Sequence, residues 1–257
     1  MTKLTLNKMM KKYLQEIWFL KYYIVVVVLA IGFSYSVYYF LDPETVAYIG
    51  DEDHFFEWAT AISLFLSFSI LLTLFLKTKN IFYLFLSVLF FWGAGEEVSW
   101  GQRIIGFKTP ELMQEINVQN ELSLHNIEIF NTHDFQQNTK KGFARLLEIN
   151  FLFRIFMMCF GILLPFLAYH SLTVRKLTEW AKLPIPPISI GIFFLINWIT
   201  FRILFVYVLS PQHGIQYLDT DSEIFECLGA FIFFVISAYF YLNRERIIPG
   251  KDIKTVI

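Results

Sequence analysis

The stretch Gly93-Ala94-Gly95-Glu96-Glu97-Val98-Ser99-Trp100-Gly101-Gln102-Arg103 sets two carboxylates side by side, a hydroxyl at Ser99 and a guanidinium at Arg103. On a continuous helix Glu96, Ser99 and Arg103 fall at i, i+3 and i+7, which is one stripe. Glu223 and Glu226 make a second carboxylate pair at i, i+3, and Glu57 closes an acidic run. Arg154, Arg202, His125 and Asn126 complete the set of residues able to do chemistry. Helices that present paired carboxylates resemble the metal sites of helical bundles, although the Glu-x-x-His signature of such sites is missing. His125 with Glu97 and Glu226, or with Glu96, could bind a divalent metal ion that lowers the pKa of a bound water. A remaining carboxylate would act as base, and Arg103 or Arg202 would hold a phosphate or oxyanion. Ser99 as a nucleophile would need an adjacent base. The bland alternatives are a hydrogen-bonded loop histidine, a small hydroxyl at a helix crossing and a structural Arg–Glu pair.

What positions these residues follows from composition. The chain is 56% hydrophobic and 19% aromatic, with 30 Phe and only 17% charged residues, against about 25% charged in a soluble domain. The mean hydropathy is +0.53. Such a chain suits lipid-facing helices. A net charge of -1 lacks the basic face that nucleic acid requires. Cys159 and Cys227 both fall in apolar runs and read as small buried hydrophobes, not a disulfide or a metal pair.

A membrane helix needs about 20 mostly apolar residues. Six segments qualify, the third only in part because it is apolar only as far as Gly95: Tyr22–Leu41, Ala59–Leu76, Ile81–Trp100, Phe151–Tyr169, Ile188–Leu209 and Ile224–Leu242. The fold expected is all-α, a single polytopic bundle of six spans over residues 1–257, with a long, partly helical extracytoplasmic loop between the third and fourth. Residues 1–21, rich in lysine, read as a cytoplasmic amphipathic lead lying on the bilayer and not as a cleaved signal peptide. Lys77 and Lys79, then Arg175, Lys176 and Lys182, then Arg244, Arg246, Lys251 and Lys254 fall on the same side as that lead, whereas Asp42–Trp58 and Ser210–Glu223 contain no Lys or Arg. The bias puts both termini in the cytoplasm.

Most carboxylates and four of the histidines, His54, His125, His133 and His213, then collect on the outer face. For most of them a solvated acidic surface suffices. Glu57, Glu96, Glu97 and Glu226 differ, because they lie at membrane depth, where ionisable groups are costly and face the bundle interior. Arg154 and Arg202 are the expected counter-ions. Arg202 stands seven residues before Ser210, about 10 Å below the outer helix end. Gly93 and Gly95 allow another helix to approach closely.

The loop Gly101–Asn150 is too long for an ordinary connection and too apolar for disorder, with Ile104, Ile105, Phe107, Leu112, Met113 and Ile116 needing burial. Thr109 as N-cap and Pro110 at the first position predict a helix lying across the bundle mouth as a lid or lateral wall. His125 and Asn126 would dip from it towards the carboxylates.

The runs Asp51-Glu52-Asp53-His54-Phe55-Phe56-Glu57-Trp58, Gly95-Glu96-Glu97-Val98-Ser99-Trp100-Gly101-Gln102-Arg103, Thr109-Pro110 and Leu124-His125-Asn126 resemble a family of uncharacterised bacterial multi-pass membrane proteins with the pattern G-E-E-x-S-W-G-Q-R, T-P, L-H-N. The resemblance covers residues 50–130 and implies a membrane location without implying an activity. The spacing differs from that of membrane hydrolases that bind zinc through Ser, Asp and an H-x-x-x-H pair.

Three functions fit these residues. One is a metal-dependent hydrolase or transferase acting on a lipid or lipid-linked substrate at the outer face. A second is a proton- or cation-coupled transporter or channel, against which stands the crowding of polar residues at one end of the bundle. A third is a non-catalytic membrane partner or assembly protein with a structural charge lock. The partners implied are the bilayer, such a substrate and a second copy of the chain.

Overall fold

The computed structural model describes residues 3–51, 54–136, 138, 140–203 and 218–244. Their regular structure is helical, apart from an isolated antiparallel bridge between Asn117 and Ile127. Local chemistry sets the helix ends. In α2 (Pro43–Ile49) the Asp42 side chain caps the Thr45 N–H, with Pro43 at the first helical turn. α3 (Phe55–Thr78) stops at Lys79, which adopts a left-handed φ of 56°. Asn80 then caps α4 (Ile81–Glu97) through the Phe82 N–H. A two-residue link of this kind forces α3 and α4 to run antiparallel as neighbours.

Four helical stretches are long and apolar enough to cross a membrane: Leu20–Phe40, Phe55–Thr78, Ile149–His170 and Thr220–Leu242. They match the first, second, fourth and sixth segments expected from the sequence. The third is shorter, α4 having 17 residues, and the described part of the fifth is α10 (Ile188–Ile203), 16 residues. The remainder of the expected fifth span, with His213 in the loop after it, lies outside the described residues. α1 is a single helix, Lys3–Phe40, so the expected lead does not form a separate segment but continues into the span.

The last helix, α11 (Leu218–Leu242), is the central post. Within its span 67% of the residues are buried, against 22% in the first. Phe225, Phe233 and Phe240 are fully buried on it, and Phe233 meets Phe90, Phe153, Phe156, Phe160 and Phe194 from surrounding helices. Among the described residues eight phenylalanines are buried inside the bundle and ten are exposed on its surface, so the phenylalanine content serves the core as well as the outer surface.

The span Ile149–His170 is assembled from α7 (Ile149–Met158), a π-turn at Cys159–Leu163 and α8 (Leu164–His170). Pro165 has no N–H for the preceding turn, and widening that turn accommodates the loss. Gly161 there lies directly against Gly191 of α10, so that a Cβ on Gly191 would collide with the Gly161 carbonyl. Cys159 is exposed and Cys227 buried, both as free thiols. The expectation of burial therefore fails at Cys159, which the π-turn leaves on the outside.

On α3 the buried hydroxyls of Thr60 and Ser67 bond their own helix, at Phe56 and Ser63 carbonyls. Below them Leu71 and Leu74 are fully buried. The polar stripe therefore covers one half of α3 and ends in hydrocarbon.

Candidate functional site

α4 ends at Glu97, and the chain reverses at once. Ser99, Trp100 and Gly101 all have positive φ, at 44°, 53° and 81°, before a short helix α5 (Gln102–Ile105). The reversal lays the Trp100 ring back over Gly95, where a Cβ would sit 2.9 Å from it. Gly95 therefore admits its own chain's indole and not another helix. Gly93 does face another helix, with Leu64 of α3 at the corresponding 3.0 Å. The break also dissolves the expected stripe of Glu96, Ser99 and Arg103. The Arg103 side chain lies outside the described part of the structure.

Glu96 is buried and fully engaged. Its Oε1 accepts from Trp100 Nε1 at 2.8 Å. Its Oε2 accepts the backbone N–H groups of Leu124 and His125 at 2.6 and 2.9 Å, and lies 3.3 Å from His125 Nδ1. The motif residues after it continue the clasp. Ser99 donates to Glu121 Oε2 at 2.8 Å, which Asn126 Nδ2 approaches at 3.5 Å. Gln102 gives Nε2 to the Thr109 hydroxyl and takes the Leu122 N–H on Oε1, both at 2.6 Å. Thr109 in turn donates to the Asn120 carbonyl.

These bonds correct three expectations. Thr109 is not an N-cap, because Pro110 occupies that position on α6 (Glu111–Ile116) without a side-chain bond. Ser99 has a carboxylate partner in Glu121, but its hydroxyl ties the loop to the helix end. The loop's Ile104, Ile105 and Leu112 stay exposed, since the loop closes through polar bonds and leaves its apolar groups outward. His125 and Asn126 do turn inward as expected, His125 to Glu96 and Asn126 to Glu121 and Asn131.

Glu97, one residue on, turns to different company. The charges acting on it are those of Glu223, Glu226, Glu57 and Glu96, in that order. Glu57 comes from the first turn of α3, and Glu223 and Glu226 from the upper part of α11. All four are half-buried apart from Glu96, which is buried. Glu97 makes no hydrogen bond to another described residue. The carboxylates whose charges act on Glu97 thus come from α3, α4 and α11.

Among the described side chains, Arg154 on α7 is a cation beside Glu226. Glu226 is the strongest charge attracting it, its guanidinium stacks 5.5 Å from the Phe225 ring, and its Nε has no hydrogen-bond partner. Glu226 Oε1 is likewise unpartnered. The pair face each other through space without a direct bond. Arg202 departs from expectation: it is exposed at the end of α10, its guanidinium 6.0 Å from the Phe201 ring, and among the described residues it forms no ion pair. The helix rotation that buries Phe194 and Asn197 turns Arg202 outward.

The trio Glu97, His125 and Glu226 is not assembled for a metal. Among the described residues no three His, Cys, Asp or Glu side chains stand close enough to share an ion, because His125 is drawn to Glu96.

Sequence reasoning singled out neither Glu121, Asp221 nor the Tyr35–Asn197 pair. Asp221 is buried and accepts from the Tyr38 hydroxyl. Tyr35 donates to Asn197 Oδ1 at 3.1 Å, and Asn197 donates to the Phe225 carbonyl at 2.9 Å. Tyr35 and Tyr38 follow one another at helical spacing, the one available signal that they share a face. In the loop the Asn138 N–H holds the exposed Asp134 carboxyl below the usual carboxylate range, which fixes a local turn remote from the cluster. Compared with family models, curated proteins and solved structures, the chain matches none.

Proposed function

We propose that the chain is a six-span protein of the bacterial plasma membrane, both termini cytoplasmic, whose outer face carries an acid–base site for lipid or lipid-linked substrates. It would act there as a hydrolase or transferase. The feature that supports this reading is that the charges acting on Glu97 are those of further carboxylates, Glu223, Glu226 and Glu57. A structural charge lock would satisfy its members, as Glu96 is satisfied. Glu226 Oε1 and Arg154 Nε are instead left unbonded among the described residues, which in a native bundle calls for a functional reason.

Carboxylates that exchange protons are suited to general acid and base roles, with Arg154 near enough to steady an anionic group. The ion imagined at Glu97, His125 and Glu226 does not fit the side chains as they stand, and no step is assigned to it. Conduction is disfavoured by Leu71 and Leu74, buried below the hydroxyl stripe of α3.

The test is turnover of headgroup-labelled phospholipids and lipid-linked sugars by the purified protein in vesicles. Glu97→Gln should lower turnover by about 10²-fold or more at unchanged melting temperature. Equal turnover by both proteins would overturn the reading.

A further inference from the structure

Beside the clasp lies an open cavity of about 360 Å³, lined by Trp92, Trp100, Met113, Leu122, Ser123 and Leu124. That volume falls within the range of about 300–1,000 Å³ typical of ligand pockets. Two of its walls are held by Glu96 itself, which bonds the Trp100 indole and the Leu124 backbone. The motif that reads as catalytic in the sequence therefore builds an apolar cavity.

We propose that this cavity seats the acyl chain of a phospholipid from the leaflet at that end of the bundle. The outer face of α4 leads into it. Ile81, Phe85, Val88 and Trp92 are all exposed and recur at i, i+4, i+7 and i+11, which is a single stripe along the helix. The last of them, Trp92, is also a wall of the cavity. A chain lying along the lipid-facing stripe of α4 thus reaches the cavity without crossing polar surface. Ile104, Ile105 and Leu112 are likewise exposed on the loop that follows α4. Tryptophan at the level where the apolar stripe meets the loop is the residue expected at a membrane–water boundary.

Ser123 is the polar exception among the wall residues. It is buried, and its hydroxyl has no hydrogen-bond partner, although its carbonyl is taken by Asn117 Nδ2 at 2.8 Å. An ester carbonyl at the head of the chain would supply the missing acceptor. The seat rests on the proposed lipid chemistry only in naming the substrate class, since binding does not require turnover.

The experiment uses the full chain in vesicles of phosphatidylethanolamine and phosphatidylglycerol, doped with a phosphatidylcholine whose acyl chain bears a diazirine. After illumination, peptides covering residues 92–124 should carry most of the label. Leu124→Trp, which fills the cavity and keeps the backbone bond to Glu96, should lose that label and keep the label on other lipid-facing peptides. Met113→Trp repeats the test from the rim should the first variant not fold. Glu97→Gln should keep the label while losing turnover, so that failure of the acid–base reading is seen separately. Even labelling along all apolar helices, unmoved by either filling substitution, would overturn the seat.

Discussion

The backbone N–H of Leu124 donates to Oε2 of Glu96 at 2.6 Å, joining a loop to the end of a helix across 28 residues of sequence. A buried carboxylate that collects two backbone N–H groups, an indole and an imidazole is a fastening, and charge-assisted bonds of this kind are among the stronger ones. The charges acting on its neighbour Glu97 are those of Glu223, Glu226 and Glu57. The two adjacent glutamates therefore sit in different surroundings, Glu96 among the loop's hydrogen-bond donors and Glu97 among other carboxylates.

Glu96→Ala should destabilise the protein and free the loop. Each buried donor stranded by the change costs about 1–3 kcal/mol. Thermal unfolding in detergent should shift down, and limited proteolysis should cut within residues 101–150 faster than in the parent. An unshifted melting temperature would show that the clasp carries no weight.

Asn197 and Tyr35 should behave as a unit. Asn197→Leu leaves the Tyr35 hydroxyl without its acceptor in a buried place and should cost about 1–3 kcal/mol, while Tyr35→Phe should cost about 1 kcal/mol. Residues in one hydrogen-bond network are non-additive, so the double variant should lose less than the sum. Strict additivity in detergent unfolding would separate them.

Asp42 supplies a pH-dependent cap. The Thr45 N–H, and then its hydroxyl, hold the exposed Asp42 carboxyl below its ordinary 3.8. A carboxyl lowered by folding adds stability that is present above the ordinary value and is lost as pH falls through the folded one. Hydrogen exchange in residues 43–49 should therefore lose protection as the pH falls below about 4, and Asp42→Asn should abolish that dependence. Protection unchanged between the two proteins across that range would contradict it.

Much of this arrangement is legible in the sequence for a physical reason. Hydrocarbon demands long apolar runs and tolerates few charges, so four of the six spans expected from the sequence reappear as long apolar helices among the described residues. The approach of His125 to Glu96 is legible in outline too. The division between Glu96 and Glu97 is not, because it depends on left-handed backbone at Ser99 and Trp100, residues with no conformational signature of their own. Thr109 reads as a cap because a hydroxyl before proline usually is one, yet Gln102 and the Asn120 carbonyl compete for it. Arg202 reads as buried from depth alone, and only the rotation of α10 shows it facing outward.

The convergence on Glu97 is tested most directly by a double-mutant cycle in thermal stability, independent of any substrate. Glu97→Gln and Glu223→Gln each remove one of two repelling charges, so each alone should relieve the repulsion and the second should add little. The cycle should give a coupling of at least about 0.5 kcal/mol, diminished by salt. Additive effects, with no coupling at low ionic strength, would mean that the two carboxylates do not meet, and the site built on them would fall.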